Sequence, residues 1–221
     1  MRQLAALALS FSLVALAGCN GASATVVRPD SKAQTIDEVR AAPVDGPQHR
    51  VAVSAFEFRA GQGSRQIGDG MTDMLTDALV NTGRFIVLER ERLSEVMAEQ
   101  DLADTGRFAK ETVAEKGELE GAELLVRGSI TMFDPNCSGG SILVVAGSQA
   151  CLAINLRIVD ARTGRVVSAT TVEGKAGRTR VGLVFGGELP IGLGAYKKTP
   201  MESAIRDCIT AAVEHVVATK L

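Results

Sequence analysis

Residues 1–18 constrain this chain more than any other stretch. Arg2 and Gln3 precede an apolar run, LAALALSFSLVALA, which ends at a small-residue site. A charged start, a short apolar middle and small residues at the end make a secretory signal peptide, not a membrane-spanning helix. The remainder of the chain is therefore expected to fold in an oxidising compartment, where a disulfide is allowed.

The segment ends Leu16, Ala17, Gly18, Cys19, the arrangement of a bacterial lipobox. The chemistry needs a thiol to form the thioether and small residues before it for an extended backbone in the peptidase. Cys19 is expected to carry the lipid and become the mature N-terminus. Two or three acyl chains anchor stably. Asn20 comes next instead of the aspartate that often retains lipoproteins at the inner membrane, which favours the outer membrane. The lipid is covalent, and no separate cofactor is expected.

Three further cysteines remain. Cys137 and Cys151 flank a glycine-rich tip and form a candidate disulfide across a hairpin, while Cys208 falls on a helical pattern and reads as buried. None has zinc-finger spacing. The net charge of −2 over 221 residues leaves no footprint for nucleic acid. No catalytic or metal-binding constellation stands out, so the chain is expected not to be an enzyme. GGSILVVAGS lacks the lysine of a phosphate loop. The alternating charges Glu89, Arg90, Glu91 and Arg92 read as salt bridges and caps, and His215 as a solvated or half-buried helix residue.

Residues 19–49 carry Pro29, Pro43 and Pro47 with little periodicity and read as a tether. At about 3.3 Å per residue it would reach roughly 90–100 Å. The domain then occupies 50–221. RVAVSAFEF at 50–58 alternates as a strand. GQGSRQIGDG at 61–70 reads as a glycine-rich turn. Ile67, Met71, Met74, Leu75, Ala78 and Leu79 recur at helical spacing, with Gly83 as C-cap. Next come a short strand at 85–88 and a helix from Glu91 to about Leu102, the latter with Leu93, Val96 and Met97 inward. Residues 111–119 are expected as a further helix. Strands at 124–133, 152–158 and 165–172 precede a long amphipathic helix from Met201 to Val217, opened by Thr199 and Pro200. The order implies an α/β or α+β sandwich.

Two segments do not suit a compact globule. One is 135–150, with the run Ile142 to Ala146 between glycines. The other is RVGLVFGGELPIGLGAY at 180–196. In it Val181, Leu183, Phe185, Leu189, Ile191, Leu193 and Ala195 alternate with a mostly glycine face. Membrane barrel strands need about 9–11 residues with such alternation. The odd residues are expected to face lipid, with Tyr196 as an interfacial aromatic. Four strands cannot close a barrel and open edges do not survive in lipid, so several copies would have to assemble. The competing reading is a soluble hairpin or a loop packed on the domain.

Several stretches together resemble the curli-secretion channel lipoprotein family, CsgG, with its holdfast relative HfaB. They are LAGC at 16–19, RVAVSAF at 50–56, TGRFIVLERERLSEVMAEQ at 82–100, GAELLVRGSIT at 121–131, INLRIVDARTGRVVSA at 154–169 and TPMESAIRDCITAAVEHVV at 199–217. The resemblance implies an α+β chain: an α/β periplasmic domain, plus two β-hairpins given to an oligomeric transmembrane barrel. It places the hairpins at about 129–157 and 168–197. It implies a homo-oligomeric ring in the outer membrane, through which fibre or adhesin subunits pass passively. Two departures matter. The family's long pore-constricting loop after the first strand is replaced by residues 61–70, which hold no aromatic or asparagine. The first hairpin is also short and interrupted by Pro135. The alternative is a tethered periplasmic adaptor or regulator with no pore.

Overall fold

The computed structural model describes residues 25–27, 41, 46–61, 63–109, 111–112, 116–137, 149–175 and 188–219. Strands β1 (Thr25–Val27), β2 (Arg50–Phe58), β3 (Ile86–Leu88), β4 (Leu124–Asp134), β5 (Cys151–Asp160) and β6 (Val166–Lys175) form one sheet in the order β1-β6-β5-β4-β2-β3. β4, β5 and β6 are antiparallel neighbours, whereas β2 runs parallel to both β3 and β4. Helices α1 (Arg65–Thr82) and α3 (Pro200–Ala218) pack on the sheet and on each other. Helix α2 (Leu93–Ala103) has no fully buried residue.

The strand periods explain the layering. In β5, Leu152, Ile154, Leu156 and Ile158 are each at most 1% exposed, while Asn155 and Arg157 between them are exposed. One face thus meets helices and the other does not. β2 departs from simple alternation, because Val51, Ala52 and Val53 are all buried. A strand held between two parallel neighbours loses water on both faces.

α1 buries Ile67, Met71, Met74, Leu75, Ala78 and Leu79, one stripe of a 3.6-residue period. Gly83 ends it in the left-handed region at φ 65°, ψ 13°, where only glycine sits without strain. α3 starts from an extended Thr199 with Pro200 in its first turn, and buries Met201, Ile205, Cys208, Ile209 and Val216. Gly174 on β6 lets it come close: a Cβ there would lie 2.0 Å from the Ala204 carbonyl oxygen.

Four expectations are corrected. Residues 65–70 of the expected glycine turn are the first turns of α1. There Gly68 meets the Phe56 carbonyl, to which a Cβ would approach within 2.3 Å. α2 buries none of its residues: Leu93 is half-buried, and Val96 and Met97 are 38% and 50% exposed. In the expected helix at 111–119, the described residues 111–112 and 116–119 are turn and coil. Residues 25–27 of the expected tether form an edge strand, paired in parallel with β6 through Thr25 and Thr170.

Candidate functional site

The strand register brings the roots of both unusual segments together. Asp134 at the end of β4 pairs with Cys151 at the start of β5, and Cys151 pairs with Lys175 at the end of β6. The chain therefore leaves for 135–150 and for 176–187 from three adjacent strand ends on one side of the domain. Cys137 and Cys151 are joined in a disulfide with their Cα atoms 5.8 Å apart, which closes the base of the first segment. Residues 138–148 and 176–187 lie outside the described residues, as do Cys19, Val181, Leu183 and Phe185. Of the hairpins expected at 129–157 and 168–197, residues 129–134, 151–157 and 168–175 belong to the sheet, where Ile130, Phe133, Leu152, Ile154 and Val172 are core.

The second half of the two-faced stretch is not a strand. Residues 191–193 form a turn, leading into a 3₁₀ helix at Gly194–Tyr196. Pro190 has no N–H to give to a ladder, and its carbonyl accepts the Leu193 N–H at 3.0 Å. Gly192 sits at φ +97°, and a Cβ there would lie 2.3 Å from the Gln66 carbonyl oxygen of α1. Its neighbour Leu193 is fully buried beside Gly70, where a Cβ would meet Leu193 Cγ at 2.9 Å. Leu189 is also buried, and Tyr196 packs edge-on against Phe133 at 5.1 Å between ring centres. Leu189 and Leu193, expected to face lipid, and Tyr196, expected as an interfacial aromatic, thus anchor the segment to the core. Ile191 is 94% exposed. The Glu188–Lys197 ion pair, at 2.5 Å, closes the base of this turn.

The helix-free face of the sheet has its own pattern. Reading across β4, β5 and β6, one row holds Leu125, Val159 and Val166, and the next holds Arg127, Arg157 and Ala169. A third holds Ser129, Asn155 and Thr171, the last two joined by a 2.9 Å hydrogen bond. Arg127 and Arg157 are direct cross-strand partners. Like charges so placed repel. Among the described residues neither has an ion pair, because nearby Glu57 is bound to Arg59 at 2.6 Å.

A cleft between α1 and the β3–α2 junction gathers Asp73, Asp77, Glu89 and Glu91 with Arg92. Burial pushes Asp73 above the ordinary carboxylate range; Arg92, 3.6 Å away, opposes this, and Asp77, Glu89 and Asp69 add to it. Burial likewise raises Glu91, with Asp73 and Asp69 adding to it. Glu89 closes the turn before α2 by accepting the N–H groups of Glu91 and Arg92 at 2.6 and 2.9 Å. Arg90 donates to the Glu120 carbonyl at 2.8 Å. The alternating charges thus form turn bonds, a backbone tie and an ion pair, and no side-chain cap on α2.

The model of the curli production assembly/transport component CsgG matches residues 32–221. The chain belongs to the CsgG family. No curated protein matches this CsgG-family chain. Among solved structures it is similar to a hypothetical protein from Chlamydia trachomatis, with 15% identity and a TM-score of 0.46, covering 79% of this chain and 100% of that one. It is similar to the PelC dodecamer from Paraburkholderia phytofirmans, with 13% identity and a TM-score of 0.39 over 76% and 91% of the two chains. It is also similar to the LpoB C-terminal domain from Escherichia coli, with 17% identity and a TM-score of 0.33 over 65% and 93%.

The CsgG-family domain brings together groups that sequence spacing does not. Ser168 Oγ and His215 Nε2 share a hydrogen bond at 2.9 Å across 47 residues. Burial lowers the His215 pKa, which favours the neutral ring. The pair ties the last turns of α3 to β6. Cys208 is fully buried, and burial raises its thiol far above the ordinary range, which leaves it a packing residue. Among the described residues, no group of three His, Cys, Asp or Glu side chains could hold a metal. The facing arginines could be found only from the register.

Proposed function

We propose that this CsgG-family chain is a lipid-anchored outer-membrane subunit of a curli-type export or attachment apparatus, acting as a homo-oligomer without chemistry of its own. The domain sits in the periplasm, held by acylated Cys19. The observation that carries the reading is the common origin of the two segments at Asp134, Cys151 and Lys175. Segments leaving one end of a sheet side by side can enter one bilayer together, and copies around an axis can pool them into one barrel. Unfolded fibre or adhesin subunits would cross by diffusion. The test is a detergent-extracted, heat-resistant ring that conducts ions in a planar bilayer. Deleting 177–187 should abolish conductance while leaving the domain folded. A monomer without conductance overturns the proposal.

A specific measure favours a second reading, a tethered adaptor or regulator without a pore. Split into two arms, 135–150 offers about eight residues per arm and 176–187 about six, against the roughly 9–11 that a membrane strand needs. Longer arms would have to draw on core residues such as Phe133 and Leu152. Normal biological function after deletion of 177–187, with no conductance from the intact protein, would select this reading.

A further inference from the structure

The helix-free face of the sheet holds a cleft rich in hydrogen-bond donors. Its volume is about 250 Å³, and Glu57, Arg59, Arg127, Ser129, Asn155 and Arg157 line it. Arg127 and Arg157 face each other across β4 and β5, and Ser129 faces Asn155 in the next row. Directly facing strand residues lie about 4.5–5.5 Å apart. The two guanidinium groups thus start from neighbouring points and can close on one small ligand from two sides.

The charges in the cleft do not balance. Glu57 and Arg59 satisfy each other at 2.6 Å, which leaves Arg127 and Arg157 as two positive charges without an ion pair among the described residues. Asn155 extends the pattern. Its Oδ1 accepts the Thr171 hydroxyl at 2.9 Å, so the carboxamide oxygen is held toward β6. What Asn155 has left to offer a ligand is its pair of N–H donors, and Ser129 adds a hydroxyl.

Donor chemistry of this kind selects among anions. A carboxylate presents two oxygens, which a single guanidinium fork already occupies. Two forks with two neutral donors suit a group with three or more oxygens. A phosphate monoester also carries about −1.5 to −2 charges at neutral pH, which matches the two arginines. We propose that Arg127 and Arg157, with Asn155 and Ser129 as neutral donors, form a binding site for a phosphoryl group. Arg157 lies six residues along β5 from Cys151. At about 3.3 Å per residue this is roughly 20 Å from the roots of the two segments. The site is therefore separate from them and stands with or without a pore.

The test is calorimetric titration of the full lipidated chain in a non-ionic detergent at low salt. Inorganic phosphate, glycerol phosphate and the short-chain lipid dihexanoyl phosphatidylglycerol are the probes. Saturable binding is expected, with one phosphoryl group per chain. Arg127→Lys and Arg157→Lys keep the charge but lose the fork, and each should weaken binding at least tenfold. Arg127→Gln with Arg157→Gln should abolish it. The lysine variants keep the test decisive if the double glutamine variant fails to fold. Lipid binding at least tenfold tighter than glycerol phosphate supports the site and names a headgroup as the source of the phosphoryl group. Equal or weaker lipid binding supports it and names a free solute. Three probes that give no saturable heat, or binding that ignores every arginine substitution, overturn the proposal. Arginine-dependent binding of an oligoglutamate peptide, with no binding of the three probes, assigns the pair to a partner's carboxylates and also overturns it.

Discussion

The backbone N–H of Phe56 donates to Thr72 Oγ1 at 2.9 Å, where β2 breaks register with β4 between Ser54 and Glu57. The irregularity turns this N–H out of the ladder and toward α1. Thr72, 2% exposed, in turn donates to the Gly68 carbonyl at 2.9 Å. Thr72→Val keeps the shape and removes the acceptor, leaving a buried N–H without a partner. A loss of about 1–3 kcal/mol is expected in urea unfolding. Thr72→Ser should retain most of the stability.

Gly192 touches the Gln66 carbonyl at positive φ, so any side chain there is both strained and obstructed. Gly192→Ala should release the 188–199 turn from α1 and expose Leu193. Hydrogen exchange would read this as faster exchange at the Leu193 and Tyr196 amides, with the global core still protected. Unchanged protection would contradict the docking of this turn on α1.

Asp73 gives one sign of pH dependence. Its folded pKa is raised by burial, so its charge costs stability at neutral pH. That cost is relieved as pH falls through the folded value toward the unfolded value of about 3.9. Asp73→Asn should therefore raise the unfolding free energy slightly at pH 7, by on the order of a few tenths of a kcal/mol in water-screened surroundings. The difference from wild type should vanish near pH 3.5.

His215 gives the opposite sign. Its folded pKa is lowered by burial, so the contribution is present above the unfolded value of about 6.5 and is lost as pH falls through the folded one. His215→Gln can still bond Ser168 but cannot titrate. Between pH 7 and pH 5, wild type should lose more stability than this variant.

The Cys137–Cys151 bridge closes a loop with a sequence separation of 14. Loop-closure entropy for about 15 residues is worth roughly 3 kcal/mol. Replacing both cysteines by serine should cost up to about that amount. A thiol count on unreduced, lipidated and denatured protein should find one free thiol, Cys208, and the native protein should react slowly. Three free thiols would exclude the bridge.

Helices α1 and α3 were legible because a 3.6-residue stripe, Gly83 and the Thr199–Pro200 start all agree. β5 was legible because its outward Asn155 and Arg157 interrupt four buried aliphatics. Glycine was the misleading signal. Gly68 and Gly70 suggest a turn, yet they lie inside α1 so that Phe56 and Leu193 can come close. Gly192 suggests the empty face of a barrel strand, yet it marks a turn pressed on α1. Leu193 and Met97 are both apolar at plausible spacing, and sequence cannot say that one is buried and the other left for solvent or a partner. Only strand pairing sets Arg127 beside Arg157, and only the packing of α3 on β6 sets Ser168 near His215.

The strand at Thr25–Val27 would limit the reach of the lipid proposed on Cys19. With Cys19 acylated, about six peptide units separate the anchor from the β6 edge, and such a leash reaches at most roughly 20 Å. A leash that short would leave a periplasmic domain little room to move away from its anchor. Under the proposed acylation it would hold the β6 side of each copy against the membrane surface, so protomers would meet already oriented. Association then becomes a search in two dimensions, in which rotation about the membrane normal is the main freedom left to lose.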